Sequence, residues 1–316
     1  MTNPPGTPLT APAGGAGFLA APYVALERLD ARFAVLGIPH GVPYTVRSVA
    51  ASVSEAPQAI RDRSARFSRM LDHHDFDLDN ALGDPAALRL ADCGDVPADP
   101  RDLAGSAARA TEAVRRILAA GAMPIVLGGD DSTTALALGA FEGHGPLTVL
   151  QIDAHIDYRD EVDGIRDGYS SPMRRAAEMP WVKRIVHCGT RGVGSARPSD
   201  VRDTLTRGNA IITARALRSA GAERVLAEFP PGERYYVAFD CDGMDPSVMP
   251  GTSAPLPGGL AFYEAADLLT GLARRGRVVG INFAEHYPSL DANGITALAI
   301  VRLIVNLVGV IHGAKP

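Results

Sequence analysis

The sequence predicts an α/β protein with a parallel sheet and a polar site at the carboxyl ends of its strands. Two observations carry this. Short apolar, β-branched runs alternate with longer amphipathic stretches from about residue 30 to the end. Most of the runs lack polar alternation, as strands do when both faces of a parallel sheet are covered.

The first run is Arg32–Pro39 and the second Leu88–Gly94. Asp102–Ala120 then reads as a helix, with Ala, Val, Ile and Leu at three- and four-residue spacing and Gly121 as its C-cap. Met123–Gly128, Leu147–Asp153, Arg184–Gly189, Ala210–Ala214 and Arg234–Asp240 follow as strands. Leu260–Arg275 reads as a helix, Arg277–Phe283 as the last strand, and Ile295–Ile311 as the closing helix. Eight strands with helices between them fit a doubly wound open sheet and an eight-stranded barrel alike.

Composition narrows the function. Of 316 residues, 46 % are apolar and 21 % charged, enough for a large core and too apolar for a disordered chain. The net charge of −5, with no concentration of Lys and Arg, argues against nucleic acid as a partner. Charged residues are expected to interrupt every apolar run before it reaches membrane-spanning length, so no membrane partner is expected. Cys93, Cys188 and Cys241 are too few and scattered for a disulfide framework and read as reduced thiols of a cytoplasmic protein. The first 22 residues, rich in Pro, Gly, Ala and Thr and free of charge, read as a flexible arm; residues 23–316 read as one domain.

The polar residues cluster after four of the strands. Met123–Leu127 runs into Gly128-Gly129-Asp130-Asp131-Ser132, and Leu147–Ile152 into Asp153-Ala154-His155-Ile156-Asp157. Tyr235–Phe239 runs into Asp240-Cys241-Asp242-Gly243-Met244-Asp245-Pro246, and Val278–Phe283 is followed by Glu285-His286-Tyr287-Pro288. In extended backbone, side chains two apart point the same way, so Asp153, His155 and Asp157 converge, as do Asp240 and Asp242. A single Asp at a strand end serves equally as a turn or helix cap, and Asp95, Asp130 and Asp245 each fit that role. Crowded aspartates, however, raise one another's pKa unless cations lie between them. Carboxylates with one imidazole suit a pair of Mn²⁺ or related ions.

These motifs resemble those of the ureohydrolases, the arginase and agmatinase family of binuclear manganese enzymes. The resemblance rests on GGDDS (128–132), DAHID (153–157) and DCDGMDP (240–246) with the PGTSAP that follows. GIP (37–39), GTRG (189–192), E-x-x-P-x-x-D (285–291) and GITA (294–297) extend it over roughly residues 30–311. It implies a single-domain, three-layer doubly wound sheet, mostly parallel and eight-stranded, and a homo-oligomer, a trimer or hexamer. It implies two divalent ions, Mn²⁺ with Ni²⁺ as an alternative. Asp153 and Asp240 would bridge them, Asp131 and Asp157 would complete the first, and His155 and Asp242 the second. Glu285 would hold the substrate guanidinium, and Asp157 would pass a proton to the leaving amine. The implied reaction cleaves a small guanidino compound to urea and an amine through a water activated by the metals. Agmatine is the default substrate, because no loops for an arginine α-amino and α-carboxylate group are recognisable. Guanidinobutyrate and guanidinopropionate are alternatives, as are a formimino-hydrolase and an inactive subunit of a mixed assembly.

Two departures stand out. Asp131 replaces the family's histidine in G-G-D-H-S, adding a fifth carboxylate. Tyr169 stands where many members carry a proton-shuttling histidine. His286, beside Glu285, is the expected substitute shuttle; His187 is another candidate but, inside a strand run, reads more simply as a core histidine, His40 follows a strand and is a candidate to face the site mouth, and His144 reads as a loop residue. Cys241 and Trp181 read as packing residues, and Arg191 as an anion site or one half of an ion pair.

Overall fold

The computed structural model describes residues 9–11, 17–42, 44 and 53–313. Eight parallel strands form one open sheet: β1 Phe33–Ile38, β2 Leu90–Asp95, β3 Met123–Gly128, β4 Leu147–Ile152, β5 Val182–Thr190, β6 Ala210–Thr213, β7 Arg234–Asp240 and β8 Arg277–Ala284. Their order is β2-β1-β3-β8-β7-β4-β5-β6, so β2 and β6 are edges and the sheet is doubly wound rather than a barrel.

Alternation along each strand builds two cores. Phe33 and Val35 face one side and pack with Ile60 and with helices Phe262–Arg275 and Ile295–Gly313. Ala34, Leu36 and Ile38 face the other and pack with helix Leu103–Ala119 and Leu138. With both faces covered, the strands need no polar side, which is why they read as continuous apolar runs.

The topology places the site. The chain builds β4, β5 and β6 outward and then returns, so that β7 and β8 fill the gap between β3 and β4. The four strands that end in polar motifs are thereby consecutive: β3, β8, β7, β4. Such a switch point leaves a crevice at the carboxyl ends.

Two expectations are corrected. Of the arm expected over 1–22, residues 1–8 and 12–16 lie outside the described residues, but packing begins before residue 22. Phe18, Leu19 and Ala21 are buried, Phe18 N donates to Asp92 Oδ2 at 2.8 Å, and Leu19 N donates to Ser64 Oγ at 2.8 Å. Nor do interrupting charges keep every apolar run below membrane-spanning length. Arg302 alone breaks Ala292–Gly313, which is still long and apolar enough to cross a membrane, with a mean hydropathy of 2.2. That helix packs here against Phe262–Arg275 and Ala56–Ser64, which accounts for its apolarity.

The pinned segment depends on one buried ion pair. The Arg61 guanidinium, 1 % exposed, donates to both Asp92 oxygens at 2.8 and 3.0 Å and to Asp95 at 2.6 Å. Removing one partner of a buried pair strands the other charge. Arg61→Met is therefore expected to lower stability by about 3–5 kcal/mol, read from the urea unfolding midpoint. A loss below about 1 kcal/mol would mean that Asp92 is satisfied without the pair.

Candidate metal centre

Three of the four polar strand ends, those of β3, β4 and β7, turn in the same way. Asp130, Asp153 and Asp240 accept a hydrogen bond from the main-chain N–H two residues on: Ser132 N at 3.0 Å, His155 N at 2.6 Å and Asp242 N at 2.7 Å. These Asx turns replace the extended alternation expected from the sequence, and the segment after Asp240 is a 3-10 turn, Cys241–Gly243. Side chains that a continuing strand would carry away are folded back over the sheet's end. Gly243 is required there, since a Cβ would stand 2.6 Å from Asp153 N. Gly129 is required likewise, its Cβ position lying 2.0 Å from His40 O.

Two groups of donors result. Asp131, Asp153, Asp157 and Asp240 place ligand atoms within 4.8 Å of one another, and so do Asp153, His155 and Asp242. Asp153 belongs to both. His155 Nδ1 lies 3.1 Å from Asp242 Oδ2 and 3.4 Å from Asp153 Oδ1. Asp242 Oδ1 also accepts Ala154 N at 3.0 Å, tying the β4 and β7 turns together. Glu285 is 7 % exposed at the end of β8, where its Oε1 accepts Asp131 N at 2.9 Å. The Tyr287 side chain bonds to Glu285, and the Ser253 hydroxyl stands 3.5 Å from Oε2. Asp157 and Glu285 both hold left-handed backbone, φ +39° and +60°. Non-glycine residues reach it at a strain of about 1–3 kcal/mol, characteristic of functional sites.

Electrostatics shows why the group needs cations. Burial first, and the neighbouring carboxylates next, push Asp131, Asp157 and Asp240 well above the ordinary range. Burial and Asp242 raise Asp153 to about 6, and burial and Asp130 raise Glu285 to about 8. His155 runs the other way: burial opposes its charge, but Asp153 and Asp242 lift it to about 12. One imidazolium cannot neutralise five buried aspartates. Buried, clustered oxygens with a single imidazole nitrogen are a donor set for two hard or borderline divalent ions sharing Asp153.

Asp131 is well supported in its unusual position. Its Oδ1 accepts the Thr134 hydroxyl at 2.5 Å, and Thr134 Oγ1 accepts Asn282 Nδ2 at 2.7 Å. The bond holds one oxygen of the shorter side chain and leaves the other for a ligand.

Other expectations fall differently. His286 does not join the cluster: its Nε2 bonds Asp291 Oδ2 at 3.0 Å, and Asp291 accepts Thr296 N and Ala297 N at the start of the last helix. It follows Glu285 by one residue and points elsewhere. Arg191 is neither an anion site nor half of an ion pair. Its guanidinium donates to the carbonyls of Asp242, Gly243, Met244 and Leu256, bracing the turn that carries Asp242. His187 is buried in the core, and His40 lines a neighbouring cavity with Val42, Ser132 and Arg166. The His144 carbonyl accepts Arg234, Trp181 Nε1 donates to Leu138 O at 3.0 Å, and Cys241 lies in the core.

The sequence reading missed Tyr44, Tyr287, Ser253, Thr134, Asn282 and Gln151. Tyr44 stacks on Tyr169 with ring centroids 4.6 Å apart and accepts Ser170 N at 2.9 Å. The Tyr169 hydroxyl is raised by burial first, then by Tyr44, Glu285, Asp130 and Asp157, which places it beside the acidic cluster.

Comparison with known proteins gives a consistent result. Residues 31–309 match the model of the arginase family. The mitochondrial agmatinase of Gallus gallus is 30 % identical over 295 residues, 92 % of this chain and 83 % of that protein. A guanidinobutyrase of Pseudomonas aeruginosa is 28 % identical over 294 residues, 91 % of this chain and 88 % of that protein. The solved structure of proclavaminate amidino hydrolase from Streptomyces clavuligerus superposes with a TM-score of 0.80 at 26 % identity, covering 96 % of this chain and 99 % of that one.

The raised carboxyl groups set a pH signature. Protonated in both folded and unfolded chains below about pH 4, they neither stabilise nor destabilise there. From about pH 4 up to about 6 for Asp153 and about 8 for Glu285, the unfolded chain gives up protons that the metal-free folded protein keeps, so stability falls across that window and levels off above it, where the folded protein holds the repelling charges. Divalent ions remove that penalty. The gap in Tm between Mn²⁺-loaded and chelator-stripped protein is expected to widen by several degrees from pH 5 to pH 8. A gap independent of pH would contradict the repulsion.

Proposed function

The chain belongs to the arginase family and is an amidinohydrolase acting on guanidino C–N bonds, and we propose that its substrate is agmatine, cleaved to urea and an amine. The observation that carries this reading is Glu285. It is a buried carboxylate, fixed at Oε1 by a main-chain N–H, joined by the Tyr287 side chain, and met at 3.5 Å from Oε2 by the Ser253 hydroxyl. A planar guanidinium pairs with such a group through charge-assisted hydrogen bonds. Guanidinobutyrate is a second reading, supported by the similarity to the guanidinobutyrase.

The family is binuclear and metal-dependent, and Asp131, Asp153, Asp157, Asp240, Asp242 and His155 would hold the ions, with Mn²⁺ suited to this donor set. When bound, such a pair supplies Lewis acidity that lowers the pKa of water toward neutrality. The chain's own residues do the rest. Glu285 binds the guanidinium and orients its carbon toward the cluster. The Arg191-braced turn keeps Asp242 in place. Asp157, held in its strained backbone beside Asp131 and Asp153, is the group to pass the proton to the leaving amine. We further propose a cytoplasmic homo-oligomer, a trimer or hexamer. Three buried free thiols support a reducing compartment, and exposed apolar Val193, which lines a cavity with His155 and Val201, supports assembly.

The test is urea release by Mn²⁺- or Ni²⁺-loaded protein offered agmatine, arginine, guanidinobutyrate, guanidinopropionate and guanidine. Agmatine is expected to be fastest. Glu285→Gln, which removes the charge-assisted pair, is expected to lower kcat/KM by roughly 10²-fold with two metals still bound. Absence of urea from every compound at full metal loading would defeat the reading. A second variant tests the fifth carboxylate. Asp131→His removes one negative charge beside the nucleophilic water, so the rising limb of the pH profile of kcat/KM should move to lower pH. An unmoved limb would show that Asp131 does not act on the water.

A further inference from the structure

Behind the cluster a single chain of hydrogen bonds runs from a main-chain amide to the carboxylate shared by both donor groups. Gln151 and His187 are direct neighbours across β4 and β5. Gln151 Nε2 donates to Asp153 Oδ2 at 2.5 Å, and Gln151 Oε1 bonds His187 Nδ1. His187 Nε2 lies 3.0 Å from Thr204 Oγ1, Asn209 Nδ2 donates to Thr204 Oγ1 at 3.0 Å, and Ile185 N donates to Asn209 Oδ1 at 2.9 Å.

The two ends fix the direction of every bond. Ile185 N–H can only donate, so Asn209 accepts with its oxygen and presents its NH₂ to Thr204. At the other end the Asp153 carboxylate can only accept, so Gln151 turns its NH₂ to Asp153 and its Oε1 to His187. That sets the imidazole proton on Nδ1, and the free Nε2 of the neutral ring accepts the Thr204 hydroxyl proton. The opposite amide orientation would set a carbonyl oxygen against a carboxylate. All five side chains are buried, and burial holds His187 neutral, down at about 3, so both ring nitrogens keep these roles.

We propose that His187 is a positioning residue: through the Gln151 amide it holds the Asp153 carboxylate in the orientation that serves both cations. This rests on the reading of the cluster as a metal centre. It assigns a role to a histidine that stands outside the cluster and to a glutamine in a largely apolar strand. Groups that hold a metal ligand from behind typically govern affinity by about 10–100-fold. Because Asp153 is common to both groups, both cations should weaken together when the clamp is lost.

The experiment is calorimetric titration of Mn²⁺ into metal-free protein, with the Tm of the metal-free protein measured alongside. His187→Leu is expected to weaken both Mn²⁺ equivalents about 10-fold. His187→Asn keeps an N–H near the Nδ1 position and also loses the Thr204 bond, so it should destabilise the metal-free protein as His187→Leu does yet restore Mn²⁺ affinity to within about threefold of wild type. Gln151→Leu should match His187→Leu in affinity, and the double variant should be no weaker than Gln151→Leu alone, since His187 acts only through Gln151. Should His187→Leu fail to fold, Gln151→Leu carries the test. Unchanged Mn²⁺ affinity in either folded Leu variant, His187→Asn no better than His187→Leu, or additive losses in the double variant would each overturn the clamp while leaving the metal centre standing. A wild-type protein that binds no Mn²⁺ would overturn the metal centre and the clamp with it.

Discussion

Like-charge crowding is the constraint on which the rest of the site depends. Five aspartates and Glu285 are buried at one end of one sheet, where low dielectric strengthens their repulsion. A fold can hold such a group only by surrounding it with fixed donors and leaving room for cations. Each device around the cluster answers to this. Main-chain amides cap Asp153, Asp240, Asp242 and Glu285. The Thr134 hydroxyl holds Asp131, and the Gln151 amide holds Asp153. The strain at Asp157 and Glu285 is sustained because packing on every side over-determines those backbones.

The same constraint explains the topology. No single strand end can carry five aspartates and Glu285 and keep its own turn. Spreading them over β3, β4, β7 and β8 gives each strand one turn, and the late insertion of β7 and β8 brings the four turns side by side. The Asx turn recurs because it does two things with one residue. It ends the strand, and it fixes one carboxylate oxygen on the residue's own backbone, leaving the other to be aimed by what lies behind it, as Gln151 aims Asp153.

Much of this was legible in the sequence. Strands covered on both faces leave continuous apolar runs, so all eight were visible to within a residue or two, and the acidic motifs marked the right four ends. The choice between open sheet and barrel left no trace in periodicity and came only with the family resemblance; the strand order came with the structure. The supporting residues were hidden for a different reason. Gln151 and Asn282 are polar residues inside largely apolar strands, and Thr134 stands beside Ser132 and Thr133 in the first turn of a helix, so spacing does not tell a ligand's support from a cap or an isolated core polar group. His286 shows the converse error. Chemical type and closeness in sequence suggested a shuttle, whereas its side chain leaves Glu285 for Asp291 and the last helix. Phe18 and Leu19 were lost in a Pro- and Gly-rich stretch whose average composition outweighed two buried side chains.

The aspartate at position 131 then has a physical reading of its own. Relative to an imidazole it brings a negative charge and a harder oxygen to the first donor group, favouring ions that prefer oxygen. It also makes nearby water less acidic, a handicap for a hydrolase. The Thr134 hydroxyl, itself oriented by Asn282, offsets part of that charge by hydrogen bonding. On this view the substitution moves the centre along a scale from softer to harder metal and from more to less acidic water, with Thr134 setting how far. The chain from Asn282 to Asp131 and the chain from Asn209 to Asp153 are thus two forms of one solution, in which neutral side chains behind the cluster decide how its charges are held.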